Sequence, residues 1–214
     1  MSTPQGAPVL HGRDLRCERG NRSIFSGLAF GLARGGLLEV RGPNGSGKTS
    51  LLRMVCGFLQ PAAGRIEWDG QPVGSLGEEF RAHLAYVGHL NGIKEELVPA
   101  ENLAFAARLA GLPADPGEIA SALRAFSLPA ASRLPCRYLS QGQKRRLALA
   151  RLGLSKSRDL WVLDEPFAAL DAQGIDVVRS MLEQHLSGGG MVMLTTHQEV
   201  PIRGAAIQRI EFGA

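Results

Sequence analysis

Residues 42–49 read GPNGSGKT, preceded by an apolar run, GGLLEV (35–40), and followed by TSLLRMVCGFL, in which Leu51, Leu52, Val55 and Leu59 recur at helical spacing. Strand, glycine-rich turn and helix in that order form the setting that the pattern G-x-x-x-x-G-K-[ST] needs to hold a phosphate chain. The spacing has a physical cause. Gly42, Gly45 and Gly47, with Pro43, Asn44 and Ser46 between them, let consecutive backbone N–H groups turn inward, and the helix N-terminus adds its positive dipole. Lys48 supplies a point charge to the β- and γ-phosphates, and Thr49, followed by Ser50, offers a hydroxyl to Mg²⁺. A plain glycine-rich turn before a helix is the alternative, and it leaves Lys-Thr in register unexplained.

A second stretch, LWVLDE (160–165), is an apolar strand ending in two acids. In α/β folds the carboxyl end of a sheet is where ligands bind. Asp164 is placed to hold Mg²⁺ through water, and Glu165 to orient or deprotonate an attacking water. An Asp-Glu pair after a strand is by itself a common solvated loop start. Together with the phosphate loop it predicts a chain that binds and hydrolyses a nucleoside triphosphate.

The remaining texture is compatible with one domain spanning 1–214. The first forty residues alternate short apolar runs with Gly, Asn and Arg, which suits antiparallel strands and tight turns. GRIEWDG (64–70), LAYVG (84–88) and GGGMVMLTTH (188–197) read as further strands. The last of these and LWVLDE are continuous apolar runs, as in strands buried on both faces of a parallel sheet. From Pro99 to about Ser157 the chain is alanine-rich and helical, with Asp115, Pro116 and Glu118 as a start signal. The predicted fold is α/β: a P-loop NTPase (RecA-like) core, an N-terminal antiparallel β flank and an α-helical subdomain inserted at about 90–157.

No apolar run approaches the roughly 18 residues that span a bilayer, and MSTPQGAPVL lacks a basic start and an apolar h-region, so a cytoplasmic location is expected. Cys17, Cys56 and Cys136 are scattered, which argues against a zinc site, a disulfide framework or covalent haem attachment. A net charge of +4 permits phosphate ligands, an anionic membrane face or nucleic acid and selects none of them.

Three further stretches narrow the class. In YLSQGQKRRLALARL, Ser140 and Gln143 form an S-x-x-Q capping box, and Gly142 in the first turn suits close approach to an anion. FAALD ends at Asp171, and TTHQE places His197 after a long strand. With these, the chain resembles the ATP-binding cassette ATPases: Walker A (42–49), signature (139–143), Walker B (160–164), catalytic Glu165, D-loop Asp171 and switch His197 stand in the family's order. The resemblance implies a head-to-tail homodimer in which Ser140, Gly142 and Gln143 of one copy meet ATP on the other copy's loop, with His197 contacting the γ-phosphate in cis. It implies ATP and Mg²⁺ as ligands.

Two positions depart from the family's pattern. Where most cassettes carry an aromatic residue to stack on adenine, CERGN has Arg19, which either stacks as a guanidinium or is a solvated turn residue. Where most carry glutamine, YVGH has His89. Its imidazole is a poor copy of a carbonyl ligand for Mg²⁺, so a water-mediated contact is expected, with turnover sensitive to pH near about 6 to 7; a core or spacer histidine is the alternative. With Gln141 in the signature, these stretches resemble the CcmA family, the ATP-binding subunits of the haem exporter in cytochrome c maturation. That implies permease-like transmembrane partners at the cytoplasmic face of a bacterial inner membrane, an indirect link to a periplasmic haem chaperone, and docking near LNGIKEELVPAENL (90–103). The alternatives are a cassette for another cargo, a soluble cassette on nucleic acid or ribosomes, and an inactive cassette. The absence of a second cassette or an extended basic run argues against nucleic acid, and Lys48, Asp164, Glu165 and His197 argue against inactivity.

Overall fold

Leu10–Arg19 (β1) and Arg22–Leu32 (β2) fold back on each other as an antiparallel hairpin, turning at Gly20, whose φ is 59°. The computed structural model describes residues 7, 9–20, 22–128 and 133–213. The chain then enters the centre of the molecule as Gly36–Arg41 (β3) and Lys48–Val55 (α1). It returns to the flank as Ala63–Trp68 (β4) and Gln71–Pro72 (β5), so the flank is a four-stranded sheet in the order β2-β1-β4-β5. Two short helices, Val73–Leu76 (α2) and Glu78–His83 (α3), lead into Leu84–Val87 (β6).

The helical lobe follows: Pro99–Leu109 (α4), Pro116–Ala125 (α5) and Gln141–Ala150 (α6). Its start signals act as their chemistry requires. Asp115 caps α5 by accepting from Glu118 N at 2.9 Å, with Pro116 in the first turn, where a missing N–H costs nothing. Leu160–Asp164 (β7), Ala172–Ser187 (α7), Met191–Thr195 (β8) and Ala206–Glu211 (β9) complete the chain.

The central sheet is parallel, in the order β6-β7-β8-β3-β9. Every residue of β7 and β8 is buried, because alternate side chains feed two separate cores. Trp161, Leu163, Val192 and Leu194 face the helical lobe and Val178, Leu182 and Leu186 of α7. Leu160, Val162, Met191 and Met193 face Leu51, Leu52 and Val55 of α1 and the β flank. Burying each such side chain stabilises the fold by about 1.5–3 kcal/mol, which is why these strands read as unbroken apolar runs.

The register sets the site. Val40 of β3 lies opposite Thr195 of β8, which lies opposite Asp164 of β7, so three strand ends finish in one row. Among the described residues no helix is long and apolar enough to cross a membrane. The strand β9 and the helices α2, α3 and α7 were not among the expected elements. β9 is an edge strand of alternating exposure, AIQRIE, with a weaker apolar signal than its buried neighbours.

Candidate functional site

The phosphate loop is formed by what surrounds it as much as by its own glycines. Gly42 has φ 141°, and a Cβ there would lie 2.5 Å from the carbonyl oxygen of Phe212, just after β9. Gly47 has φ 107°, and its Cβ would fall 2.8 Å from Ile24 and 2.9 Å from the Phe25 ring of β2. Only glycine fits either position, on both conformation and space. The loop is therefore pressed between the flank hairpin and the last strand.

Helix α1 begins at Lys48 with no side-chain cap, so its first-turn N–H groups face the loop unclaimed by any side chain. Lys48 is 6% exposed and donates from Nζ to the carbonyls of Gly42 (2.7 Å) and Pro43 (2.9 Å). Ser46 Oγ is buried with no hydrogen-bond partner. A buried hydroxyl left unsatisfied is uncommon and calls for a ligand. Pro43, Asn44 and Gly45 are exposed along the same loop, while Ser50 is half-buried in α1.

At the end of the strand row, Asp164 is 2% exposed and held by two hydroxyls. Thr49 Oγ1 donates to Asp164 Oδ2 at 2.9 Å, and Thr195 Oγ1 donates to Oδ1 at 2.7 Å. Thr195 Oγ1 also accepts from the backbone N of Glu165 at 2.8 Å. Glu165 takes φ 49°, a conformation that costs a side-chain-bearing residue about 1–3 kcal/mol and recurs at functional sites. Its carboxylate Oε1 stands 3.3 Å from His197 Nε2. A small cleft of about 40 Å³ lies between them, lined by Glu165, Phe167, Ala168, Thr196, His197 and Gln198. That is room for at least one water.

Thr195 is not among the site residues expected from the sequence. Its signal is a hydroxyl residue ending a strand directly opposite Asp164, visible only once the strands are paired. Arg145 was missed as well. It is 5% exposed, and its guanidinium donates to the backbone of Asp164, Glu165 and Gly88.

The family model described as ABC transporter matches residues 25–168. The chain is 50% identical over 204 residues to the cytochrome c biogenesis ATP-binding export protein CcmA of Nitrosospira multiformis, covering 95% of this chain and 98% of that one. It is 48% identical over 205 residues to the protein of the same name from Dechloromonas aromatica, covering 96% and 100%. A solved structure titled as the ATP binding subunit of an ABC transporter superposes with TM-score 0.78 at 26% identity, covering 88% of this chain and 79% of that one. The chain belongs to the ABC transporter family.

Within this ABC transporter fold, the remaining expected site residues fall into two groups. Lys48, Thr49, Asp164, Glu165 and His197 share one end of the parallel sheet. Ser140, Gly142, Gln143 and Asp171 lie on or beside the helical lobe, and among the described residues no hydrogen bond or ion pair joins them to the phosphate loop. Instead they serve the chain's own fold. Ser140 and Gln143 complete a capping box on α6, with Gln143 Oε1 accepting from Ser140 N at 2.9 Å and Ser140 Oγ from Gln143 N at 3.2 Å. Gly142 abuts the Ala169 carbonyl, 3.2 Å from where a Cβ would sit. Asp171 caps α7 through Gly174 N (2.9 Å) and pairs with Arg146, and these contacts hold its carboxyl below the usual range.

Arg19 is exposed at the end of β1, paired across the hairpin with Arg22, and no hydrogen bond or ion pair ties it to the phosphate loop among the described residues. His89 is exposed just beyond β6, next to Gly88, whose carbonyl Arg145 holds. A larger cavity of about 240 Å³, near Arg34, Trp161 and His185, lies around the opposite end of β7 from Asp164.

Proposed function

We propose that the chain is the ATP-hydrolysing subunit of a membrane transporter complex, seated on the cytoplasmic face of a bacterial inner membrane and powering haem export or haem-chaperone release in cytochrome c maturation. The near-full-length identity to export proteins of that name supports the cargo. The row of Thr49, Asp164, Thr195, Glu165 and His197 carries the chemistry.

ATP is the substrate. The backbone N–H groups of 42–49 and the Lys48 ammonium bind its phosphates, and the unpaired Ser46 hydroxyl and glycine cradle fit that use. A Mg²⁺ ion would be held by the Thr49 hydroxyl and the Asp164 carboxylate and, when bound, would neutralise phosphate charge. Such a sparse set suits an ion that keeps several waters, and among the described residues no cluster of three or more His, Cys, Asp or Glu could hold a metal alone. The Glu165 carboxylate accepts a proton from water in the adjoining cleft as the water oxygen bonds to the γ-phosphorus and the bond to ADP breaks. His197, 3.3 Å from that carboxylate, contacts the γ-phosphate in cis.

Ser140, Gly142, Gln143 and Asp171 sit apart from this chain's own phosphate loop, so a second copy supplies them and the working unit is a homodimer of the cassette. Hydrolysis removes the γ-phosphate that bridges the copies, which is how turnover becomes motion. Arg19 stacks on the adenine. His89 contributes through water. His89→Gln should change the rate of ATP turnover; an unaltered rate would leave His89 as a spacer residue.

Permease-like transmembrane subunits dock on the groove between core and lobe. Phe58 is 58% exposed there and Leu109 79%, with Tyr86, Phe105 and Leu112 lining the same cleft of about 340 Å³. Exposed large apolar groups gathered in one groove suit an amphipathic helix from a membrane subunit. Glu95, within the 90–103 stretch, pairs with Lys144 at 2.6 Å, which holds its carboxyl below the usual range. Tagged protein recovered from solubilised membranes should bring down permease-like subunits, and Phe105→Glu with Leu109→Glu should lose them at unchanged nucleotide affinity. Recovery of ribosomes or nucleic acid in their place would overturn the transporter reading.

A further inference from the structure

A single buried guanidinium touches both the catalytic strand end and the loop that carries His89. Arg145 Nη2 donates to the carbonyls of Asp164 (2.7 Å) and Glu165 (2.8 Å). Its Nη1 donates to the carbonyl of Gly88 (2.9 Å) and reaches Asn91 Oδ1 at 3.4 Å. Burial disfavours the charge, and the carboxylates of Asp164 and Glu165 partly offset that, while Nε is buried without a partner. Desolvating a cation is costly, and this one directs its donors to the backbone of two separate segments.

We infer that Arg145 is a positioning residue: it ties the backbone of Glu165 to the 88–91 segment, so that displacement of that segment re-aims the Glu165 carboxylate. This rests on the ATP-hydrolysing reading above and deepens it. Both ends of the Glu165 residue are pinned, its N–H by Thr195 and its carbonyl by Arg145. Those two pins maintain the left-handed φ of 49°, which sets the direction of the carboxylate toward His197. A guanidinium is planar and rigid, so its two arms cannot move independently.

The segment is also gripped on either side of Arg145 in the chain. Lys144 pairs with Glu95, and Arg151 donates to the Gly92 carbonyl. The 88–95 stretch, which borders the groove proposed for the membrane partner, therefore moves with α6 and the turn after it. A push there is delivered through Arg145 to the strand end that performs hydrolysis.

Arg145→Lys keeps the charge and loses the fork, because one ammonium cannot bond in-plane to both segments. The test compares wild type and Arg145→Lys as full chains, alone and with the membrane subunits, by steady-state ATP turnover, equilibrium nucleotide binding and thermal unfolding. The expected result is a kcat lower by tenfold or more, with KM and nucleotide Kd within twofold of wild type. A kcat within twofold of wild type overturns the inference. So does a loss of kcat matched by an equal loss of nucleotide affinity, which would mark a general structural role. If Arg145→Lys shows no cooperative unfolding, Asn91→Ala decides: a kcat threefold or more lower at unchanged nucleotide affinity supports the tie, and an unchanged kcat overturns it. A wild-type chain that binds ATP without hydrolysing it would overturn the hydrolase reading, and this one with it.

Discussion

Replacing Glu165 by glutamine is expected to reduce ATP turnover by about 10²- to 10⁴-fold while leaving nucleotide binding within a few-fold of wild type. General-base catalysis contributes a factor of that size, roughly 3–5 kcal/mol of barrier at 1.36 kcal/mol per decade. Glutamine has the same shape and still hydrogen-bonds to His197, which stands 3.3 Å from Glu165 Oε1. What it lacks is a group able to take the proton from water in the cleft. The backbone pins on Glu165, from Thr195 and to Arg145, involve no side-chain atom of residue 165 and should survive. With hydrolysis stopped and binding kept, the ATP-bound homodimer should persist. Sedimentation with ATP should then show a dimer for Glu165→Gln and a mixture for wild type. At an ATP concentration of about 100 Kd, bound ligand should also stabilise the variant against unfolding by about 2.7 kcal/mol. A variant that retains a tenth or more of wild-type turnover would remove Glu165 from the role of base.

Lys48→Ala is expected to act one step earlier, on binding. The ammonium is almost wholly buried and donates to two loop carbonyls, so it sits where a phosphate chain would exchange those carbonyls for phosphate oxygens. Truncating one member of a buried charged pair costs about 2–5 kcal/mol. At 1.4 kcal/mol per decade that is roughly a 30- to 4,000-fold loss of ATP affinity. Turnover at saturating ATP should fall too, because the same charge faces the γ-phosphate as it departs. The two variants should separate cleanly in isothermal titration with ATP: Glu165→Gln retains the binding heat, and Lys48→Ala loses it. If Lys48→Ala binds ATP as tightly as wild type, the loop is a structural turn.

The parts of the site that could be read in the sequence are those fixed by short-range spacing. The phosphate loop, the acid pair and the capping box each lie within about eight consecutive residues, and their local geometry follows from glycine freedom, helix dipoles and cap chemistry. The parallel strands were legible because burial on both faces leaves unbroken apolar runs. Thr195 and Arg145 were not legible. Thr195 meets Asp164 across 31 residues of sequence, and Arg145 meets Gly88 across 57, so each depends on strand order and lobe placement. In isolation Arg145 reads as one cation in a KRR run on a helix, and such runs are commonly solvated. The strand β9 was missed for a related reason: at a sheet edge its outward residues stay polar, which dilutes the pattern.

That last strand has a consequence for how the protein is made. β9 pairs along the whole of β3, Arg209 reaches Glu39 across 170 residues, and the carbonyl just beyond β9 backs Gly42 of the phosphate loop. Contacts this distant in sequence form late and slowly. At a synthesis rate of about 5–20 residues per second, the ribosome needs roughly 10 to 30 s after producing β3 before it produces the partner strand. During that interval the nascent chain carries a complete phosphate-binding sequence but no wall behind it, and an unpaired parallel edge open to other chains. The wall behind Gly42, and with it the finished phosphate loop, is therefore completed only once the last strand has been made and has paired with β3.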